Sequence, residues 1–139
     1  MKRLIYQELI SWKRSSGRKP LLLQGARQVG KTYLMLEFDK NNYKDYVYLN
    51  FEEDESLKAL FHNKLTPSHL IEQLSFYANK KILPNDTLII LDEIQLADRA
   101  ITSFKYFYEQ ANEYHIIGAG SLLGVSIGRE CSFPVGKVD

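Results

Sequence analysis

The chain has 139 residues, of which 18 are Lys or Arg and 17 are Asp or Glu, so its formal net charge is +1. A hydrophobic fraction of 45% over this length fits one globular domain and excludes a disordered or fibrous protein. The near-neutral charge does not indicate a protein that mainly binds nucleic acid. No apolar run reaches the roughly 20 residues that a membrane-spanning helix needs.

The single cysteine, Cys131, cannot form an internal disulfide bond. The first residues carry basic side chains with no apolar segment after them, so no secretory signal is visible. We therefore expect a protein of the reducing cytoplasm.

Short apolar runs alternate with stretches of helical periodicity along the chain. The predicted helical segments, recognised by apolar residues at helical spacing, are 1–17, 30–40, 52–62, 66–80 and 98–111. The predicted strands, each a short apolar or aromatic run, are 21–24, 46–51, 87–91 and 115–118. Strand 87–91 is hydrophobic on both faces, which is typical of a central strand in a parallel sheet.

This alternation predicts an α/β fold of three layers, α/β/α, around a mostly parallel sheet. Such sheets bind ligands beyond the carboxyl ends of their strands. Asp98 precedes the apolar face of the last helical segment, where its side chain can cap the helix. The aromatic cluster from Tyr43 to Tyr48 is interpreted as core and sheet surface.

A phosphate-loop motif, in which Gly, four residues and Gly-Lys-Thr follow one another, comes directly after the first predicted strand. Its glycines allow successive N–H groups to cradle phosphate oxygens, and the helix that follows adds its positive end. Lys31 would contact the β- and γ-phosphates during catalysis, and the Thr32 hydroxyl could bind Mg²⁺. The predicted ATP-binding residues are those of the motif and the residue after it: Gly25, Ala26, Arg27, Gln28, Val29, Gly30, Lys31, Thr32 and Tyr33.

Two carboxylates follow the apolar strand 87–91, in the arrangement of a Walker B segment. Asp92 would hold Mg²⁺ beside the phosphate loop. Glu93 would orient or deprotonate the water that attacks the γ-phosphate. An acidic pair at a strand end is usually a solvated turn, but its combination with a phosphate loop favours the functional interpretation.

A whole predicted strand, 46–51, lies between the phosphate loop and the acidic pair. This feature and the glutamate resemble the additional-strand, catalytic-glutamate division of phosphate-loop NTPases. Ser121 follows the fourth strand, where related ATPases carry a γ-phosphate sensor, although a serine there can equally cap a turn. The candidate arginine fingers are Arg99 and Arg129, each more often a solvated surface residue, and Arg27, inside the loop, could cover the phosphates.

Three further patterns are excluded by their context. Residues 124–128 match a nucleophile elbow, but all three histidines precede Ser126, so the usual order of a hydrolase triad is impossible. Residues 118–123 lack the third glycine of a dinucleotide fingerprint. Asn63-Lys64 begins a guanine-reading motif that has no aspartate, so adenine is the expected base.

Four segments occur here in one order: the phosphate loop 25–32, residues 91–95, Gly120-Ser121 and residues 133–138. Together they resemble the bacterial and archaeal AAA-type ATPase domain of the AAA_14 kind, which precedes a C-terminal domain of unknown function. Ala119 and Lys137 stand where this family commonly has Thr and Arg.

The resemblance implies an ATPase core over 1–139 that uses ATP and Mg²⁺, with Ser121 as sensor. It also implies an incomplete C-terminus, because the fifth strand and a small helical lid would come after residue 139. Strand 21–24 would then be an open sheet edge, so we expect a homo-oligomer or another protein partner.

The functional expectation is MgATP hydrolysis coupled to an effector domain that is absent from these residues. The alternative is a nucleotide-dependent binding or switch module without turnover. A phosphotransferase is a third class, for which no acceptor pocket is recognisable in the sequence.

Overall fold

The computed structural model describes residues 2–25, 29–120 and 135–138. Its α-helices are α1 (Lys2–Arg14), α2 (Val29–Asn42), α3 (Pro67–Ala78) and α4 (Asp98–Gln110). Its strands are β1 (Leu21–Gly25), β2 (Asp45–Asn50), β3 (Thr87–Asp92), β4 (His115–Gly120) and β5 (Val135–Val138). Two 3₁₀ helices cover Glu55–Phe61 and Ile94–Leu96.

The strands form one parallel sheet in the order β2-β3-β4-β1-β5. Strand β4 is later in the chain than β3 but lies between β1 and β3, as in the additional-strand arrangement. The three-layer α/β fold with a parallel sheet is therefore confirmed.

Each face of the sheet has its own apolar core. One core joins the sheet to α1 and α2, and its largest buried side chains include Leu9, Met35 and Phe38. The other core joins the sheet to α3, α4 and the 3₁₀ helix Glu55–Phe61. Neighbouring strand residues alternate between the cores, so Ile90 belongs to the first and Leu91 to the second.

Strand β5 corrects the prediction that the fifth strand follows residue 139. The run Val135–Val138 pairs in parallel with β1, so that Leu22 lies opposite Val135 and Gly25 opposite Val138. Strand β1 is therefore paired on both sides, and the predicted open edge at 21–24 is wrong. The run has two β-branched residues among four, which suffices for a strand once β1 offers its hydrogen-bonding groups.

Two local predictions also change. Asp98 is the first residue of α4 and not its cap: the N-cap is Ala97, without a side-chain cap hydrogen bond, because the 3₁₀ helix Ile94–Leu96 leads directly into α4. The predicted helix 52–62 is the 3₁₀ helix Glu55–Phe61, whose first turn is capped by Asp54 through a 3.0 Å bond from the Ser56 N–H.

A polar cluster around the buried His115 anchors the end of the sheet where β4 begins. The Tyr43 hydroxyl lies 2.7 Å from Nδ1 of His115, and Asn85 Oδ1 lies 2.9 Å from Nε2. Burial, with the nearby charges of Arg18 and Lys13, lowers the pKa of His115 to about 3. The ring is therefore neutral at physiological pH and serves to hold these segments together.

None of the helices described is long and apolar enough to cross a membrane.

Candidate functional site

The candidate site lies at the carboxyl ends of β1 and β3. Strand β1 ends at Gly25 and α2 begins at Val29, so the predicted phosphate loop stands between a strand and a helix. This is the context that the motif requires, because the loop must present its N–H groups together with the helix N-terminus.

Asp92 and Thr32, the two predicted Mg²⁺ ligands, meet across this edge of the sheet. The Thr32 hydroxyl, in the first turns of α2, lies 3.5 Å from Oδ2 of Asp92. Asp92 is the last residue of β3 and is 2% exposed, and its Oδ1 accepts a 2.9 Å bond from the Glu93 N–H. The structure thus brings together a hydroxyl and a carboxylate that lie 60 positions apart in the chain.

These two oxygen donors fit Mg²⁺, which is bound through oxygen and usually keeps several waters and phosphate oxygens in its coordination shell. Within the described ranges there is no group of three His, Cys, Asp or Glu side chains that could hold a metal ion by themselves. A small number of protein donors is what a nucleotide-associated Mg²⁺ needs, since phosphates would supply the other ligands.

Glu93 immediately follows β3 and is 3% exposed. Its backbone has φ 53 and ψ 42, the left-handed region that few residues other than glycine, asparagine and aspartate adopt. Its Oε1 accepts a 2.9 Å hydrogen bond from Nε2 of Gln95. An uncommon backbone conformation directly after the predicted metal-binding residue is typical of functional sites, where the surrounding fold holds the strained residue in place.

Tyr48 is a site residue that the sequence interpretation missed. Its hydroxyl donates a 2.6 Å hydrogen bond to Oδ2 of Asp92, the oxygen that also faces Thr32. Burial and the Asp92 carboxylate raise the pKa of Tyr48 above its ordinary value, so the hydroxyl keeps its proton. Only the pairing of β2 with β3 reveals this contact, because an aromatic strand residue has no local signal of a polar role.

Several predicted residues are placed elsewhere or lie outside the described residues. Arg99 donates from Nε to the Phe61 carbonyl and from Nη2 to the Asn63 carbonyl, so it connects α4 to the end of the 3₁₀ helix Glu55–Phe61 and the segment after it. Tyr33 lies on α2 with 57% of its surface exposed. The remaining predicted residues, which lie outside the description with the side chain of Lys31, are Ala26, Arg27, Gln28, Ser121 and Arg129.

Comparison with known proteins places this geometry in a family. The AAA_14 family model, described as an AAA domain, matches residues 17–139. No curated protein matches the chain. The structure of C. elegans PCH-2 is similar with a TM-score of 0.59 at 18% identity, over 99% of this chain and 42% of that one.

At this identity, the likeness to PCH-2 shows the fold alone, and the chain spans less than half of that structure. The family match covers most of the chain, including the motif and the acidic pair. The chain therefore belongs to the AAA_14 family of AAA domains.

Proposed function

We propose that this domain binds ATP with Mg²⁺ and hydrolyses it, and that the nucleotide cycle drives an effector domain outside residues 1–139. Family membership supports a nucleotide-binding, ATPase-type domain. The observation that carries the proposal is the approach of Thr32 Oγ1 to Asp92 Oδ2, at 3.5 Å, beside the phosphate-loop motif.

Each residue of the site has a distinct role in this proposal. Thr32 and Asp92 would hold Mg²⁺, whose charge would offset that of the phosphate oxygens. Lys31 would neutralise the β- and γ-phosphates from within the loop. Ser121 would contact the γ-phosphate as the sensor residue.

Glu93 would act on the attacking water. Its carboxylate is buried at the strand end next to Asp92, and the Gln95 amide holds one of its oxygens. A carboxylate held in this way can orient a water by accepting its hydrogen bond, and can then take its proton as the oxygen attacks phosphorus.

Binding is tested by calorimetric titration of the purified chain with MgATP. We expect saturable binding that Lys31→Ala weakens by at least about tenfold, because the phosphates lose a charged partner. Lys44→Ala is the matched control, since this lysine is exposed and pairs with Asp86 at the far end of β2. A wild-type chain that binds no MgATP would contradict the proposal.

Turnover is tested separately by phosphate release. Glu93→Gln should retain MgATP binding and lose about a hundredfold or more in the rate of phosphate release, because the amide cannot take a proton. If wild type binds MgATP but releases phosphate no faster than Glu93→Gln, the domain is a nucleotide-dependent switch module and the hydrolysis part of the proposal fails.

A further inference from the structure

The hydroxyl of Tyr48 lies where β2 approaches the metal-binding pair. Strands β2 and β3 pair in parallel, with Tyr48 opposite Ile90 and Asn50 opposite Asp92. Side chains two residues apart share a face of a strand, so Tyr48 and Asp92 both project towards α1 and α2. The Tyr48 ring packs against the core on that face, and its hydroxyl extends to the carboxylate.

Asp92 is held at both of its carboxylate oxygens. The Glu93 N–H donates to Oδ1 at 2.9 Å, and the Tyr48 hydroxyl donates to Oδ2 at 2.6 Å. These two donors come from different segments, so the carboxylate cannot rotate about its Cβ–Cγ bond without losing at least one of the bonds. The short O–H···O⁻ contact belongs to the stronger class of hydrogen bond, and burial of Asp92 keeps water from replacing it.

Because Oδ2 also faces Thr32 at 3.5 Å, the orientation of the carboxylate decides whether both donors can reach one ion. Building on the proposed function, we propose that Tyr48 is a positioning residue for Mg²⁺: its hydroxyl fixes Asp92 in the orientation that lets Asp92 and Thr32 bind the metal together. Groups that orient metal-binding carboxylates commonly change metal affinity by about 10-fold to 100-fold when they are removed.

The test separates metal affinity from nucleotide affinity. ATP binding is measured by calorimetry in excess chelator, and Mg²⁺ is then titrated into the chain with ATP present. We expect Tyr48→Phe to leave metal-free ATP binding within about twofold of wild type and to weaken the apparent Mg²⁺ affinity by about tenfold. Tyr46→Phe is the matched control: it makes the same chemical change on the same face of β2, two residues further from Asp92.

A double-mutant cycle shows whether Tyr48 acts through Asp92. In an Asp92→Asn background the hydroxyl has no carboxylate to orient, so adding Tyr48→Phe should cause no further loss of Mg²⁺ affinity. Additive losses would overturn the inference. So would a Tyr48→Phe chain that unfolds at room temperature, because the hydroxyl would then be needed for folding and not for positioning.

The remaining outcomes distinguish this inference from the proposed function. If wild type shows Mg²⁺-dependent ATP binding and Tyr48→Phe titrates with Mg²⁺ as wild type does, the role of Tyr48 is wrong and the proposed function stands. If wild type itself shows no ATP binding, the proposed function fails, and the role of Tyr48 fails with it.

Discussion

Two buried aspartates, Asp39 and Asp92, differ in the hydrogen bonds that their carboxylates accept. Asp92 accepts hydrogen bonds at both oxygens, from the Tyr48 hydroxyl and the Glu93 N–H. Asp39, on α2, is 6% exposed, and its Oδ1 has no hydrogen-bond partner among the residues that the structure describes. Burial and the charge of Asp45 raise the pKa of Asp39 to about 6, and Lys80 only partly offsets them. Ionised Asp39 therefore destabilises the native state.

Replacing Asp39 by Asn should stabilise the protein in a pH-dependent way. The unfolded chain has the ordinary aspartate pKa of 3.8, so the folded state loses stability as pH rises from there to about 6, and the whole loss persists above that pH. We expect Asp39→Asn to raise the free energy of unfolding by about 2–3 kcal/mol near pH 8, the lower value if solvent screens the charge, with the gain shrinking towards pH 4.

Urea denaturation across this pH range measures the effect. Asp86→Asn is the control, because this aspartate is partly exposed and its pair with Lys44 spans 3.7 Å at the surface, where such pairs contribute about 0–1 kcal/mol. Equal stability of Asp39→Asn and wild type at all pH values would show that the ionised Asp39 side chain does not destabilise the native state.

At the scale of elements, the placement of Glu93 depends on close packing between β4, α4 and the 3₁₀ helix Ile94–Leu96. A Cβ on Gly118 of β4 would lie 2.8 Å from Cζ of Phe104 and 2.9 Å from Cδ1 of Ile94. Ile94 and Phe104 are fully buried, so neither can move aside without disturbing its neighbours. The absence of a side chain at residue 118 therefore allows the segment after Glu93 to lie against the sheet.

Gly118→Ala should destabilise the protein through overpacking. We expect a loss of about 1–3 kcal/mol in the free energy of unfolding, measured by chemical denaturation. Gly17→Ala provides the comparison, since among the described residues no heavy atom beyond the two chain neighbours lies within 4 Å of a Cβ built there, and its effect should stay within about 0.5 kcal/mol. Similar stabilities for the two variants would mean that β4 and α4 separate more easily than their packing indicates.

At the scale of the whole molecule, β5 extends the sheet beyond β1, the strand that leads into the phosphate-loop motif. Strand β1 pairs with β4 on one side and β5 on the other. The loop that follows Gly25 thus starts from a strand that is held on both sides. A strand paired on both sides constrains the start of the predicted phosphate loop more than an edge strand would.

Removal of residues 135–139 should therefore expose β1 as an edge strand. We expect a lower melting temperature and self-association, detected by differential scanning calorimetry and light scattering, because unpaired strand groups pair with other chains. A chain that lacks only Asp139 serves as the control. A shortened chain with the same oligomeric state and melting temperature as wild type would show that β5 contributes little to the sheet.

The local signals of the sequence determined the elements of the candidate site. The spacing of glycines and Lys31 places the phosphate loop, and the apolar run before Asp92 and Glu93 places the acidic pair at a strand end. These features were predictable because strand and helix patterns and loop chemistry are properties of neighbouring residues. The roles assigned to Lys31, Glu93 and Ser121 remain predictions.

Only the tertiary structure decided which distant groups meet. The run 135–138 is too short to identify as a strand until β1 pairs with it, and Tyr48 resembles any aromatic strand residue until β3 brings Asp92 to its hydroxyl. Likewise, nothing near Asp39 in the chain indicates that its carboxylate is buried with no partner for Oδ1 in the described ranges. Strand register and burial depend on residues far apart in the sequence, and for that physical reason the local pattern does not reveal them.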